Sequence, residues 1–264
     1  MQKKSKTQVA AQIAPKNSGG WTGKAHGLAE KFEKIVNAVA APLPSPRIRL
    51  WLAGFFHPDE TYGKVEKNAT LVGMTINLLI FYIAYSTIFF LFMLALTTIL
   101  PADDLLSMGL QKNPDIVKIA LGSLVLSPVV SAFFAMFAFA AVFASARVLG
   151  GKGTYVKQAN SMSLVLCGSN MMLLVLMCLA FAIFMPSFIL RDSEIAGAIV
   201  SIATLLASIP VLLMCLAILL YSIYAHYLVV RKAHDLSSWR AAGAMAIAAV
   251  FIVLLDIVLN AALA

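Results

Sequence analysis

The chain has 264 residues, 61% of them hydrophobic and 12% charged, with a formal net charge of +8 and a mean hydropathy of +0.90. A soluble domain carries about twice that charged fraction, so the composition excludes a water-soluble globular fold and points to a membrane protein. Eleven of the twenty Lys and Arg residues precede residue 70 and most others fall in two short loops, so the basic excess reads as a topology signal, and nucleic acid is not an expected partner.

Residues 1–20 are polar and small, lack the apolar core of a secretory signal, and read as a disordered cytoplasmic tail. Residues 21–41 set Ala25, Leu28, Ala29, Phe32, Ile35, Val36 and Val39 at helical spacing, opposite Lys24, Glu30, Lys31, Glu33, Lys34 and Asn37. This predicts an amphipathic helix too charged to span, which lies on the membrane, docks a protein partner or packs on the bundle. Residues 42–70 open with the proline spacer PLPSP and continue with Trp51, Phe55, Phe56 and Tyr62 beside Arg47, Arg49 and Lys64. That mixture suits an interfacial segment at the lipid headgroups.

Five charge-poor apolar runs follow, over Leu71–Leu100, Ile119–Ala146, Ser161–Leu190, Ile195–Val230 and Ala241–Ala264. Each is long enough to cross about 30 Å of hydrocarbon at about 1.5 Å per residue. The expected fold is all-α: a polytopic bundle of five transmembrane helices over residues 71–264, preceded by the cytoplasmic amphipathic helix. Seventeen Lys and Arg residues on one side against three on the other put the N-terminus in the cytoplasm and the C-terminus outside.

Between the second and third runs lies ARVLGGKGTYVKQANSMS, residues 146–163. A phosphate-binding loop needs a Lys followed by Ser or Thr, a Gly five residues earlier and a preceding strand. Here Gly153 follows Lys152, position 147 is Arg, and an apolar helix precedes. The glycines instead permit a sharp helix exit, leaving Arg147, Lys152 and Lys157 at the headgroups. Each can contribute about 1 kcal/mol of attraction to anionic lipid. The plainer alternative is a helix terminator with topology-setting charges.

The segment HPDETY before the first run, ARVLGGKGTYVKQA at the end of the second, and IYAHYLVVRKAHDLSSWRAAGAM at the end of the fourth together resemble the Yip-one (Ypt-interacting protein) domain family over roughly residues 55–260. The resemblance implies five spans and a cytoplasmic N-terminus. It also implies a glycine-glycine-lysine-glycine turn followed by an aromatic residue, here Gly150, Gly151, Lys152, Gly153 and Tyr155, and a basic turn after the fourth span, here from Arg231 and Lys232 to Ala242. Eukaryotic members are implicated in vesicle trafficking through Rab-type GTPases, while the compact form here is similar to prokaryotic members. The resemblance therefore implies a membrane-organising or partner-recruiting role through Arg147, Gly150, Gly151, Lys152, Gly153, Tyr155, Lys157, Arg231 and Lys232. Expected partners are anionic headgroups on the cytoplasmic side and a protein docked on residues 21–41, with a homo-oligomer as a further expectation.

Ionisable and amide groups inside a span are costly and so are functional suspects. Asp256 is the acidic residue deep in a run, with Asn260 one turn further along the same face. Ser123, Ser127, Ser201, Thr204, Ser208 and Lys118 are its expected neighbours. Asn77 and Asn170 lie nearer the cytoplasm, where interhelical hydrogen bonds are the default explanation. Pro128, Pro186 and Pro210 are expected to kink or interrupt their helices, and Cys167, Cys178 and Cys215 read as small packing residues. His226 and His234, among Tyr221, Tyr224 and Tyr227, read as an interfacial aromatic belt with polar tips. The sequence holds no zinc helix, nucleophile elbow or aspartate pair, so neither a cofactor nor an enzymatic reaction is expected. The rival expectation is a small permease or channel-like subunit whose polar path runs through Asp256, Asn77 and Asn170.

Overall fold

A computed structural model of the protein describes residues 46–99, 116–189 and 194–263. The expected tail over 1–20, the amphipathic helix over 21–41 and most of the proline spacer lie outside the described residues. The described chain forms two short helices, α1 (Pro46–Phe56) and α2 (Pro58–Val65), a 3-10 turn (Glu66–Asn68), and five long helices. These are α3 (Leu71–Ile99), α4 (Ile116–Val148), α5 (Tyr155–Ile189), α6 (Glu194–His234) and α7 (Ser238–Leu263). Among the described residues there is no strand, and all five long helices carry a window apolar enough to cross a membrane.

Local chemistry explains the boundaries. Pro58 opens α2, where a missing N–H costs nothing, and Asp59 and Glu60 in the first turn with Lys64 in the last complement the helix dipole. Thr70 caps α3 by accepting the Gly73 N–H at 2.9 Å. Pro128, Pro186 and Pro210 sit inside α4, α5 and α6, which continue through them, so the expected interruption does not occur. Neighbouring turns and helices satisfy the carbonyls that a proline leaves free in a bundle.

Helix α5 is the hub: it packs against α1, α3, α4 and α6 and is the most buried of the five spans. α4 packs between α3 and α7. The outward faces are apolar, as Leu205, Leu212, Ile223, Val250 and Leu254 illustrate, and suit contact with lipid tails. With 41 residues, α6 is about 62 Å long, roughly twice the hydrocarbon thickness. Such surplus length tilts or extends beyond the apolar layer.

Buried polar side chains gather where the α4–α5 and α6–α7 turns lie: Thr61, Ser145, Gln158, Asn160, Ser161, Ser163 and His234. This turn-bearing end also receives α1 and α2. The sequence places Trp51, Phe55 and Tyr62 at the headgroups, yet all three are buried in the bundle. Trp51 meets Phe81 edge-on at 5.8 Å, Phe55 meets Tyr221 edge-on at 5.0 Å, and the Tyr221 hydroxyl donates to the Phe56 carbonyl at 2.9 Å. The docking depends on Gly168, because a Cβ there would collide with the Trp51 carbonyl and stand 2.7 Å from Phe55 Cβ. Glycine thus lets two helix backbones approach. Of the three cysteines, Cys167 is buried as expected, whereas Cys178 is exposed and does not act as packing.

Candidate interaction site

The site begins with two helix ends. At the end of α4, Gly150 adopts φ +90°, a left-handed conformation. The Gly151 N–H donates to the Ala146 carbonyl at 2.8 Å and the Gly150 N–H to that of Arg147 at 3.1 Å. This is the Schellman pairing, and glycine is the residue that takes its left-handed position without a Cβ clash. At the end of α6, Asp235 takes the same role with φ +52°, and the Leu236 N–H reaches back to the Arg231 carbonyl at 3.1 Å.

His234 joins the two ends. The Lys152 N–H donates to its carbonyl at 3.2 Å, and its ring is 1% exposed. Its Nε2 lies 2.6 Å from Oε1 of Gln158, while the Gln158 amide nitrogen faces the Phe139 carbonyl at 3.4 Å and Met162 Sδ at 3.1 Å. Because that amide oxygen can only accept, Nε2 carries the proton and donates. The Phe143 ring lies 5.5 Å from that of His234. A Cβ on Gly153 would collide with the Ala233 carbonyl, and one on Gly151 would stand 2.6 Å from His234 Nδ1. The glycines therefore leave room for the end of α6 as well as for the turn itself. His234 is thus an internal joint and not the expected polar tip of an aromatic belt. Tyr221 also points inward, to Phe56, while Tyr224 is exposed.

The basic residues divide into two groups. Lys157 is paired with Glu66 at 2.7 Å, and Lys232 donates to the Asp59 carbonyl at 2.6 Å with the Asp59 carboxylate at 3.7 Å. Both hold the α2 region onto the bundle. Arg147, Lys152 and Arg231 are exposed and have no ion-pair partner among the described residues. The Arg147 guanidinium donates to the Gly151 carbonyl at 3.0 Å, which orients it over the turn. Tyr155 packs on Phe143 at 5.7 Å and donates its hydroxyl to the Met136 carbonyl at 3.0 Å.

A family model for the Yip1 domain matches residues 53–259. The chain belongs to the Yip1 domain family. The match covers both turns, four of the long helices whole and α7 as far as residue 259, and it begins within α1, so the end of α1 and all of α2 are part of the Yip1 domain. The protein is accordingly an integral, multi-pass membrane protein. No curated protein and no solved structure matches the chain.

Asp256 occupies a different place in this Yip1 domain. It is exposed and lines a groove of about 760 Å³ with Tyr82, Ser131, Ser222 and His226 among mainly apolar side chains. Of the expected neighbours with described side chains, Ser127, Ser201, Thr204 and Ser208 are not in that lining. Thr204 instead donates to the Ile183 carbonyl at 3.5 Å and Ser208 to that of Leu205 at 2.7 Å. Asn77, Asn170 and Asn260 are also outside the lining. Asn77 accepts a long 3.9 Å contact from Cys167 Sγ through its carbonyl.

Sequence reading missed His234 and Gln158 as a pair. The signal was present in QANSMS, a polar run at the head of an otherwise apolar helix, since polar groups there must be either solvated or bonded to a neighbouring element.

Proposed function

We infer that this protein is a non-enzymatic Yip1-type membrane protein that recruits a protein or lipid partner at its turn-bearing end. In this reading that end and the N-terminus face the cytoplasm and the C-terminus lies outside, in keeping with the seventeen-to-three division of Lys and Arg. One observation carries the reading: His234 locks two basic turns into a single surface while Arg147, Lys152 and Arg231 remain exposed. A fixed backbone whose surface cations have no ion-pair partner among the described residues suits recognition more than packing. Gly150, Gly151, Gly153 and Tyr155 shape this surface, Lys157 and Lys232 brace it, and residues 21–41 supply an amphipathic helix for a protein partner.

The test is affinity capture from native membranes of three forms: the full chain, a chain beginning at Pro46, and the full chain carrying R147Q, K152Q and R231Q. Truncation at residue 45 spares α1, which a cut at residue 50 would open. A partner lost with the tail or with the cations supports recruitment. Retention of the same partners by all three forms, or capture of none by the full chain, counts against it.

The Asp256 groove favours a second reading, a permease or channel-like subunit with its polar site there. Asn77 and Asn170 do not join it, so the path would rest on Asp256, Tyr82 and His226.

A further inference from the structure

Val148 and Trp239 are 82% and 88% exposed, the highest values among the described large apolar residues. Val148 closes one candidate span and Trp239 is the second residue of another, the level at which hydrocarbon gives way to headgroups and Trp is enriched. α4 and α7 pack together. A Cβ on Gly243 would stand 3.4 Å from Leu149 Cδ1, and one on Gly150 would stand 3.6 Å from an Arg240 guanidinium nitrogen. Trp239 lies four residues before Gly243, on the same helix face. Val148, Trp239 and Arg240 therefore border one turn, together with Arg147 and Lys152.

Arg147, Lys152 and Arg240 are all exposed and have no ion-pair partner among the described residues. Asp235, the exposed acid of the neighbouring turn, pairs with none of them. A planar guanidinium binds phosphate oxygens through two parallel N–H donors, and an indole has an apolar body suited to the upper acyl chain. Free phosphate accounts for the cations but leaves the exposed Trp and Val without a partner; a phospholipid accounts for both.

We propose that Trp239 and Val148 insert into the leaflet at this end and that Arg147, Lys152 and Arg240 hold the phosphate of an anionic phospholipid there. This rests on reading the turn-bearing end as the interaction surface, and it supplies the ligand class. Lys157 and Lys232, already engaged by Glu66 and Asp59, lie outside the site.

The test uses the full chain in nanodiscs of phosphatidylcholine and phosphatidylglycerol, with bromine carried near the head of the acyl chain on one lipid or the other. The Trp239 share of the quenching is the difference between wild type and W239F. Bromine on phosphatidylglycerol is expected to quench Trp239 more than bromine on phosphatidylcholine at equal mole fraction. That preference should fall about fivefold for each of R147Q, K152Q and R240Q, and should be unchanged in a K157Q/K232Q control. Equal quenching by both lipids, or a preference that survives the triple substitution, overturns the proposal. So does quenching by aqueous iodide in place of either lipid, which would place the patch in water. Partner capture can fail while lipid preference holds, and the reverse, so this proposal and the recruitment reading fail separately.

Discussion

The ring of His234 and the amide of Gln158, 76 positions apart in the chain, meet at 2.6 Å inside the bundle. Removing either partner strands a buried polar atom, at a cost of roughly 1–3 kcal/mol. H234L and Q158L should each lower the denaturation midpoint in detergent, whereas the H234L/Q158L double variant should cost less than their sum. Additive losses would show that the two groups are not coupled.

The two glycines of the α4–α5 turn should respond differently to alanine. G150A imposes only a left-handed backbone on a Cβ-bearing residue, about 1–2 kcal/mol. G153A drives a methyl into the Ala233 carbonyl, so the end of α6 must move. Limited proteolysis should cut the turns of G153A much faster than those of G150A; equal rates would rule out the close approach.

G168I is expected to unseat α1, since the added side chain meets the Trp51 backbone and Phe55. Hydrogen exchange over residues 46–56 should accelerate while that of α7, which packs chiefly on α4, stays constant. Unchanged protection of α1 would contradict the packing.

Burial, with a smaller contribution from nearby Glu66, pushes the Tyr62 phenol up from 10.0 to about 12. The folded state thus favours the neutral phenol. Its contribution is fully present below pH 10.0 and is lost as pH rises through about 12. Y62F should flatten that part of the stability profile in alkaline denaturation, and an identical slope in Y62F would assign the loss to other groups.

Proteoliposomes carrying the wild type should show no ion flux above lipid alone if recruitment is the function. Flux that D256N abolishes would instead establish the groove as a permeation site.

The five spans were legible because twenty or so apolar residues in succession admit few alternatives to a membrane helix. Their ends were harder. Gln158, Asn160, Ser161 and Ser163 mimic a loop in composition, yet they are buried and α5 begins already at Tyr155. Trp51 and Phe55 carry an interfacial composition, and only the three-dimensional opposition of Gly168 reveals that they belong inside. The basic motif was visible as a group, but which of its cations are braced depends on Glu66 and Asp59, which are remote from it in sequence.

The seating of α1 has a consequence for biogenesis. Its partners are made late: Phe56 waits for Tyr221, 165 residues downstream, and Trp51 waits for Gly168. During translation the Trp51–Phe55 face is therefore without its final cover until the fourth span has emerged. The nascent chain must hold that face at the membrane surface or on a chaperone, and closure of the turn-bearing end becomes one of the last events of assembly.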